Sequence, residues 1–274
     1  MLGPLNPPIR DWHGRRVWII GASSGIGLAL AIQLLDRGAT VAVSARRAEP
    51  LEALVRSHPG ARALPLDATD RTALADATST LLAQWERLDL VVWMVGIYQP
   101  MLATSFDACS AREHVAANLV APIDALGVLL PVLIAQGHGA LALTGSVAGY
   151  RGLPQALAYG PTKAALINLA ETLFLDLQPM GIGVHLINPG FVDTRLTARN
   201  DFTMPAVITP EAAAAAIVAG FAAGRFEMHF PRRFTGWLKL GRILPYRLYF
   251  ALTSRLTRPT AKGSGTSGGS PPSA

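Results

Sequence analysis

Two periods of apolar spacing alternate along the chain. Short, nearly unbroken apolar runs rich in β-branched residues predict strands at Val17–Ile20, Thr40–Ser44, Ala61–Pro65, Leu88–Val95, Ala140–Thr144, Gly183–Ile187 and Met228–Phe230. Longer stretches between them predict helices at Gly25–Asp36, Glu49–Arg56, Arg71–Trp85, Ala108–Ala135, Leu157–Gln178 and Pro210–Ala223. Continuously apolar strands alternating with helices imply an α/β fold: a doubly wound parallel sheet of about seven strands with helices on both faces. Such a sheet binds ligands beyond the carboxyl ends of its strands.

Composition narrows the class. Half of the 274 residues are hydrophobic and 15% are charged, as in a folded globular chain long enough for one large core. The longest apolar stretch, Leu119 to Ala135, is interrupted by Pro122, Asp124 and Pro131 and reads as a buried helix. Cys109 is the only cysteine, which excludes an internal disulfide and a multi-cysteine metal site. The N-terminus lacks a basic head followed by an apolar run, so the expected setting is cytoplasmic. The formal net charge of +6 sits in the tail, where Arg232 to Lys262 hold eight Lys or Arg and no acid. A near-neutral body argues against a nucleic-acid surface.

The stretch VWIIGASSGIG places Gly21, Ser23, Ser24, Gly25, Ile26 and Gly27 between the first strand and the first helix. Glycines there permit a tight turn and let backbone N–H groups meet a pyrophosphate at the helix N-terminus, although a tight turn alone also explains them. At the end of the second strand, VAVSARR offers Arg46 and Arg47 where an acid would select NAD. A guanidinium binds a 2′-phosphate through charge-assisted hydrogen bonds, so the expected cofactor is NADP(H), with Arg46 preferred.

In YGPTK, helical spacing sets Tyr159 and Lys163 on one face, and Ser146 closes the preceding strand. A free phenol has a pKa of about 10, and a neighbouring ammonium lowers it toward the range of a proton exchanger. The serine hydroxyl suits the positioning of a carbonyl oxygen.

These motifs, in this order, resemble the short-chain dehydrogenase/reductase family over roughly residues 15 to 232, which implies a Rossmann-like catalytic domain. The resemblance implies that Asp67 contacts adenine and that Pro189, Gly190 and Thr194 face the nicotinamide carboxamide. It implies Asn118, Ser146, Tyr159 and Lys163 as the catalytic set. Tyr159 would donate the proton, Ser146 orient the oxygen, Lys163 bind the ribose and lower the tyrosine pKa, and Asn118 hold a proton relay. The family's Asn-Asn-Ala-Gly stands here as Trp93-Met94-Val95-Gly96, where only Gly96 is kept.

The expected activity is interconversion of a hydrophobic ketone and a secondary alcohol, without metal. A membrane-associated NADPH sensor lacking turnover is the alternative. Gln99, Tyr150, Leu153, Phe191 and the segment Leu196–Val207 are expected at the substrate pocket, and His114 and His185 are expected as packed histidines. Residues 1–14 read as an N-terminal extension, 233–259 as a basic apolar extension and 260–274 as a flexible Gly/Ser/Pro tail. Before Pro245 the extension segregates apolar from basic positions, and after it the segregation reads as poor. It would cover the core or a partner subunit, or lie on the inner membrane surface. Family members form dimers or tetramers, so a homodimer or homotetramer is expected.

Overall fold

A computed structural model describes residues 3–199 and 204–256. Seven parallel strands form one sheet: β1 (Arg16–Ile20), β2 (Thr40–Ser44), β3 (Ala61–Ala63), β4 (Leu90–Trp93), β5 (Gly139–Thr144), β6 (Ile182–Pro189) and β7 (Glu227–Phe230). Their order is β3-β2-β1-β4-β5-β6-β7, so the direction of winding reverses between β1 and β4. The crevice at that switch point is where such sheets take ligands.

Alternation along each strand explains the two cores. On β1, Trp18 and Ile20 face one side while Val17 and Ile19 face the other. The first side is covered by α3 (Arg71–Trp85), α5 (Ala121–Gln136) and α6 (Tyr159–Leu177). The second is covered by α1 (Gly25–Leu35), α2 (Ala48–Ser57) and α7 (Pro210–Ala222). Local signals set helix starts: Asp70 caps α3 by accepting from Thr72 and Ala73 N–H, and Thr209 caps α7 ahead of Pro210.

The long helix expected over Ala108–Ala135 differs from its prediction. α4 (Ala108–Val115) passes into α5 through a π-helical turn, Ala116–Val120, which carries Asn118. The run Ala108–Gln136 is apolar and long enough to cross a membrane by length and composition alone. Ala121, Ala125, Leu126, Leu129 and Leu133 nevertheless pack into the first core, as expected of a buried helix.

The chain divides into two compact units, one through Arg242 and one from Ile243. The first includes α8 (Arg232–Leu240), whose Phe234 ring lies 5.8 Å from that of Phe191. The second contains α9 (Tyr246–Leu256). Within α9, helical phase groups Arg247, Ala251 and Ser254 on one arc, apart from Tyr246 with Phe250 and Leu248 with Leu252.

Phe221 is fully buried on α7, edge-to-face with Trp12 at 5.7 Å and with His185 at 4.9 Å. Replacing Phe221 with Ala is expected to cost about 3–5 kcal/mol, read as a lower urea midpoint at unchanged slope.

Candidate active site

One cavity of about 840 Å³ opens at the carboxyl ends of β1, β2, β4, β5 and β6. Its first wall is the glycine loop. Gly21 adopts φ 103°, and a Cβ there would meet the Met94–Val95 backbone at 2.8 Å. A Cβ on Gly27 would lie 2.2 Å from the Gly21 carbonyl, so the loop folds against itself and against β4 only without side chains. Ser23, Ser24, Gly25, Ile26 and Gly27 all line the cavity. No side chain caps the N-terminus of α1, so its N–H donors are directed at whatever anion enters. A dinucleotide pyrophosphate fits this cradle.

At the end of β2, Arg46 and Arg47 are both exposed and both line the cavity. Arg47 reaches back to the loop, its Nη2 3.3 Å from the Ser23 hydroxyl, whereas Arg46 acts on Asp67 through its charge. The geometry therefore gives Arg47 the closer place to the glycine loop, although Arg46 was preferred on sequence. Asp67 accepts from Thr69 N–H at 2.9 Å and Thr69 Oγ1 at 2.8 Å, and these bonds hold its carboxyl below the usual range. Gly96, Pro189, Gly190 and Thr194 complete the lining.

Ser146, Tyr159 and Lys163 converge on the same cavity. Ser146 lies two residues beyond the end of β5, not on the strand as the sequence suggested, and caps the following turn, accepting from Ala148 N–H at 3.1 Å. Tyr159 opens α6, and Lys163 lies one turn on, its Nζ 5.6 Å from the Tyr159 ring centroid. Lys163 is 2% exposed and donates to the Thr144 carbonyl at 2.8 Å. Burial pushes its pKa down to about 8.

The tyrosine departs from expectation. Enclosure pushes the Tyr159 pKa up to about 12, opposed by the hydrogen bond with Ser146 and reinforced by Tyr98. The ammonium does not outweigh the loss of solvation that a phenolate would suffer here, so the phenol is neutral near pH 7.

Asn118 does not line the cavity; it is fully buried in the π-helical turn. Its amide accepts from Ile97 N–H at 2.7 Å, donates to the Ile97 carbonyl at 2.9 Å and donates to Thr162 Oγ1 at 3.3 Å. It clamps the loop after β4 to α6. Tyr98, on that loop, was missed by the sequence reading, yet its ring stands edge-to-face on Tyr159 at 5.0 Å. An aromatic two residues beyond Gly96 was the available signal.

Leu153, Phe191 and Leu196 line the cavity as expected, while residues 200–203 of the expected pocket segment lie outside the described residues. Gln99 does not line it: its N–H donates to His114 Nε2 at 3.0 Å, and its side-chain oxygen accepts from Ser110 Oγ. His114 is thereby a packed histidine, with Nδ1 bonded to the Ser110 carbonyl at 2.7 Å. His185 is likewise packed, and burial lowers its pKa to about 4. Tyr150 also lies outside the cavity lining. Its hydroxyl donates to Glu227, which accepts from Asn188 Nδ2 at 2.8 Å and pairs with Lys239 of α8. Among the described residues, no cluster of three or more His, Cys, Asp or Glu is arranged to hold a metal.

Comparison with known proteins agrees with this geometry. The family model described as short chain dehydrogenase matches residues 15–204. An uncharacterized oxidoreductase of Myxococcus xanthus is 32% identical over 246 residues, 88% of this chain and 97% of its own. The D-erythrulose reductase of Gallus gallus is 34% identical over 68% of this chain and 75% of its own. A short-chain dehydrogenase from Streptomyces avermitilis superposes with a TM-score of 0.75 at 26% identity, covering 89% of this chain and 98% of that one.

Gly27→Ala is expected to weaken dinucleotide binding at least tenfold, because the added Cβ must displace the Gly21 carbonyl. Titration of nucleotide fluorescence would read the loss, and wild-type affinity would contradict the cradle.

Proposed function

Because the chain belongs to the short-chain dehydrogenase/reductase family, we propose that it reduces a hydrophobic ketone to a secondary alcohol with NADP(H). The observation that carries this reading is the meeting of Ser146, Tyr159 and Lys163 in one cavity beside an uncapped helix N-terminus. A nicotinamide dinucleotide, the family's cofactor, supplies a hydride when bound. The rest is work for the chain's own groups. Ser146 orients the carbonyl oxygen. Tyr159, neutral at physiological pH, gives that oxygen its proton. The Lys163 ammonium stabilises the phenolate left behind, and Asn118 holds the loop and helix between which a proton returns.

Two features support the finer choices. The end of β2 bears Arg46 and Arg47 and no carboxylate, which favours a 2′-phosphate. Tyr98, Leu153, Ala156, Phe191 and Leu196 make a mostly apolar wall, which favours a lipophilic substrate. The relative named D-erythrulose reductase supports the reductive direction. A neutral phenol does so too, since an acid donates and a base would have to be ionised first.

NADPH consumption with ketones of graded apolar length tests the reading. Rates are expected to rise with length and to fall by at least about a thousandfold in Tyr159→Phe, roughly 4 kcal/mol of barrier. Arg46→Ala and Arg47→Ala should each weaken NADPH at least about tenfold and leave NADH unchanged; equal affinities in wild type would reject the NADP(H) preference.

The pH dependence follows from the buried lysine. The phenol keeps its proton well above pH 8, whereas Lys163 loses its own as pH rises through about 8. Reductive kcat/KM should therefore be level near neutrality and decline on the alkaline side. A decline that begins only above pH 10 would remove Lys163 from the step.

A further inference from the structure

The chain beyond β7 differs from the body in both charge and apolar exposure. Arg232 to Lys262 carry eight Lys or Arg and no acid. On α8 the inward side is satisfied by the body: Thr235 is fully buried, Phe234 meets Phe191, and Leu238 packs on the first core. Lys239 is engaged by Glu227. The outward side faces solvent. There Trp237 is 75% exposed and Leu240 50% exposed, flanking Arg233 with Arg232 beside them. In the second unit, taken by itself, Leu248, Phe250 and Leu252 are each more than half exposed.

We propose that the outward face of α8 docks on an anionic lipid surface. Tryptophan and arginine side by side on a short helix suit the boundary between headgroups and acyl chains, the ring entering the apolar side and the guanidinium the phosphates. Charge decides against a second copy of the chain as the occupant. A two-fold interface sets a patch against itself, and this patch would bring arginine to arginine with no acid between them. An anionic bilayer supplies the missing sign.

The placement has a consequence for the site. Phe234 on the inner side of α8 touches Phe191, which lines the cavity, so docking would bring the apolar cavity wall close to lipid. Supply of substrate from the bilayer rests on the lipophilic-ketone reading; the docking itself does not.

Co-sedimentation of the full chain with vesicles tests the proposal without any turnover. Vesicles of phosphatidylcholine with phosphatidylglycerol are expected to pellet the protein, phosphatidylcholine alone to leave it in solution, and added salt to release it. Trp237→Glu should weaken the partition at least about tenfold, and Arg233→Ser about fivefold. Both positions are exposed, and an unchanged melting temperature would show that the variants fold. Equal pelleting with neutral vesicles, no pelleting, or wild-type partition by Trp237→Glu would each overturn the proposal. So would a dimer in sedimentation velocity that Trp237→Glu disperses, since the face would then join two copies.

Discussion

The burial of one ammonium shapes the centre of this protein. Lys163 retains 2% of its surface and a bond to the Thr144 carbonyl, little exchange for the water it has lost, as its lowered pKa records. Its neighbours are arranged accordingly. A Cβ on Gly96 would stand 3.3 Å from Nζ and 3.4 Å from Asn118 Oδ1, so the absence of a side chain there leaves room for both. Asn118 fixes Ile97 through two hydrogen bonds and reaches Thr162, the residue beside the lysine. The π-helical turn that carries Asn118 offsets α4 from α5, and such turns recur where a helix must present a functional group.

A second polar cluster lies outside the cavity, next to loops that line it. Tyr150 follows Ser146 by one short turn, Asn188 directly precedes Pro189, and both bond Glu227 on β7. Glu227 also pairs with Lys239, and its carboxyl is held low despite burial by those three partners. The serine loop, the Pro189–Gly190 loop and α8 thus share one carboxylate. Breaking a buried charged network is costly because it leaves unpaired groups behind. The arrangement explains how a helix far along the chain stays attached to the cavity wall.

Strands β1, β2, β4, β5 and β6 were legible because a strand buried on both faces is a short, nearly continuous apolar run between breakers. The meeting of Ser146, Tyr159 and Lys163 in one cavity was legible through spacing. What was illegible has physical causes. One extra residue in a turn barely disturbs a 3.6 period, so the π segment was hidden within an expected helix. Closeness to Ser146 in sequence did not reveal which way the turn Val147–Gly149 directs Tyr150. The direction of the Tyr159 shift was misjudged because a pattern displays the lysine charge but not the enclosure that opposes it. Arg47 and Arg46 are adjacent, and only the backbone decides which turns toward Ser23.

The departure from the family's Asn-Asn-Ala-Gly has a local explanation in strand alternation. Trp93 points into the first core, 2% exposed, and contributes nothing to the cavity lining. Met94 points the other way, lines the cavity, and its sulfur accepts from the Thr144 hydroxyl at 3.1 Å. Thr144 is also the residue whose carbonyl holds Lys163. A soft thioether acceptor there keeps the threonine engaged without adding a polar group that competes for the ammonium. The loss of both asparagines therefore leaves the bracing of β5 against β4 in other hands: the parallel ladder, the sulfur contact and the Asn118 clamp behind it.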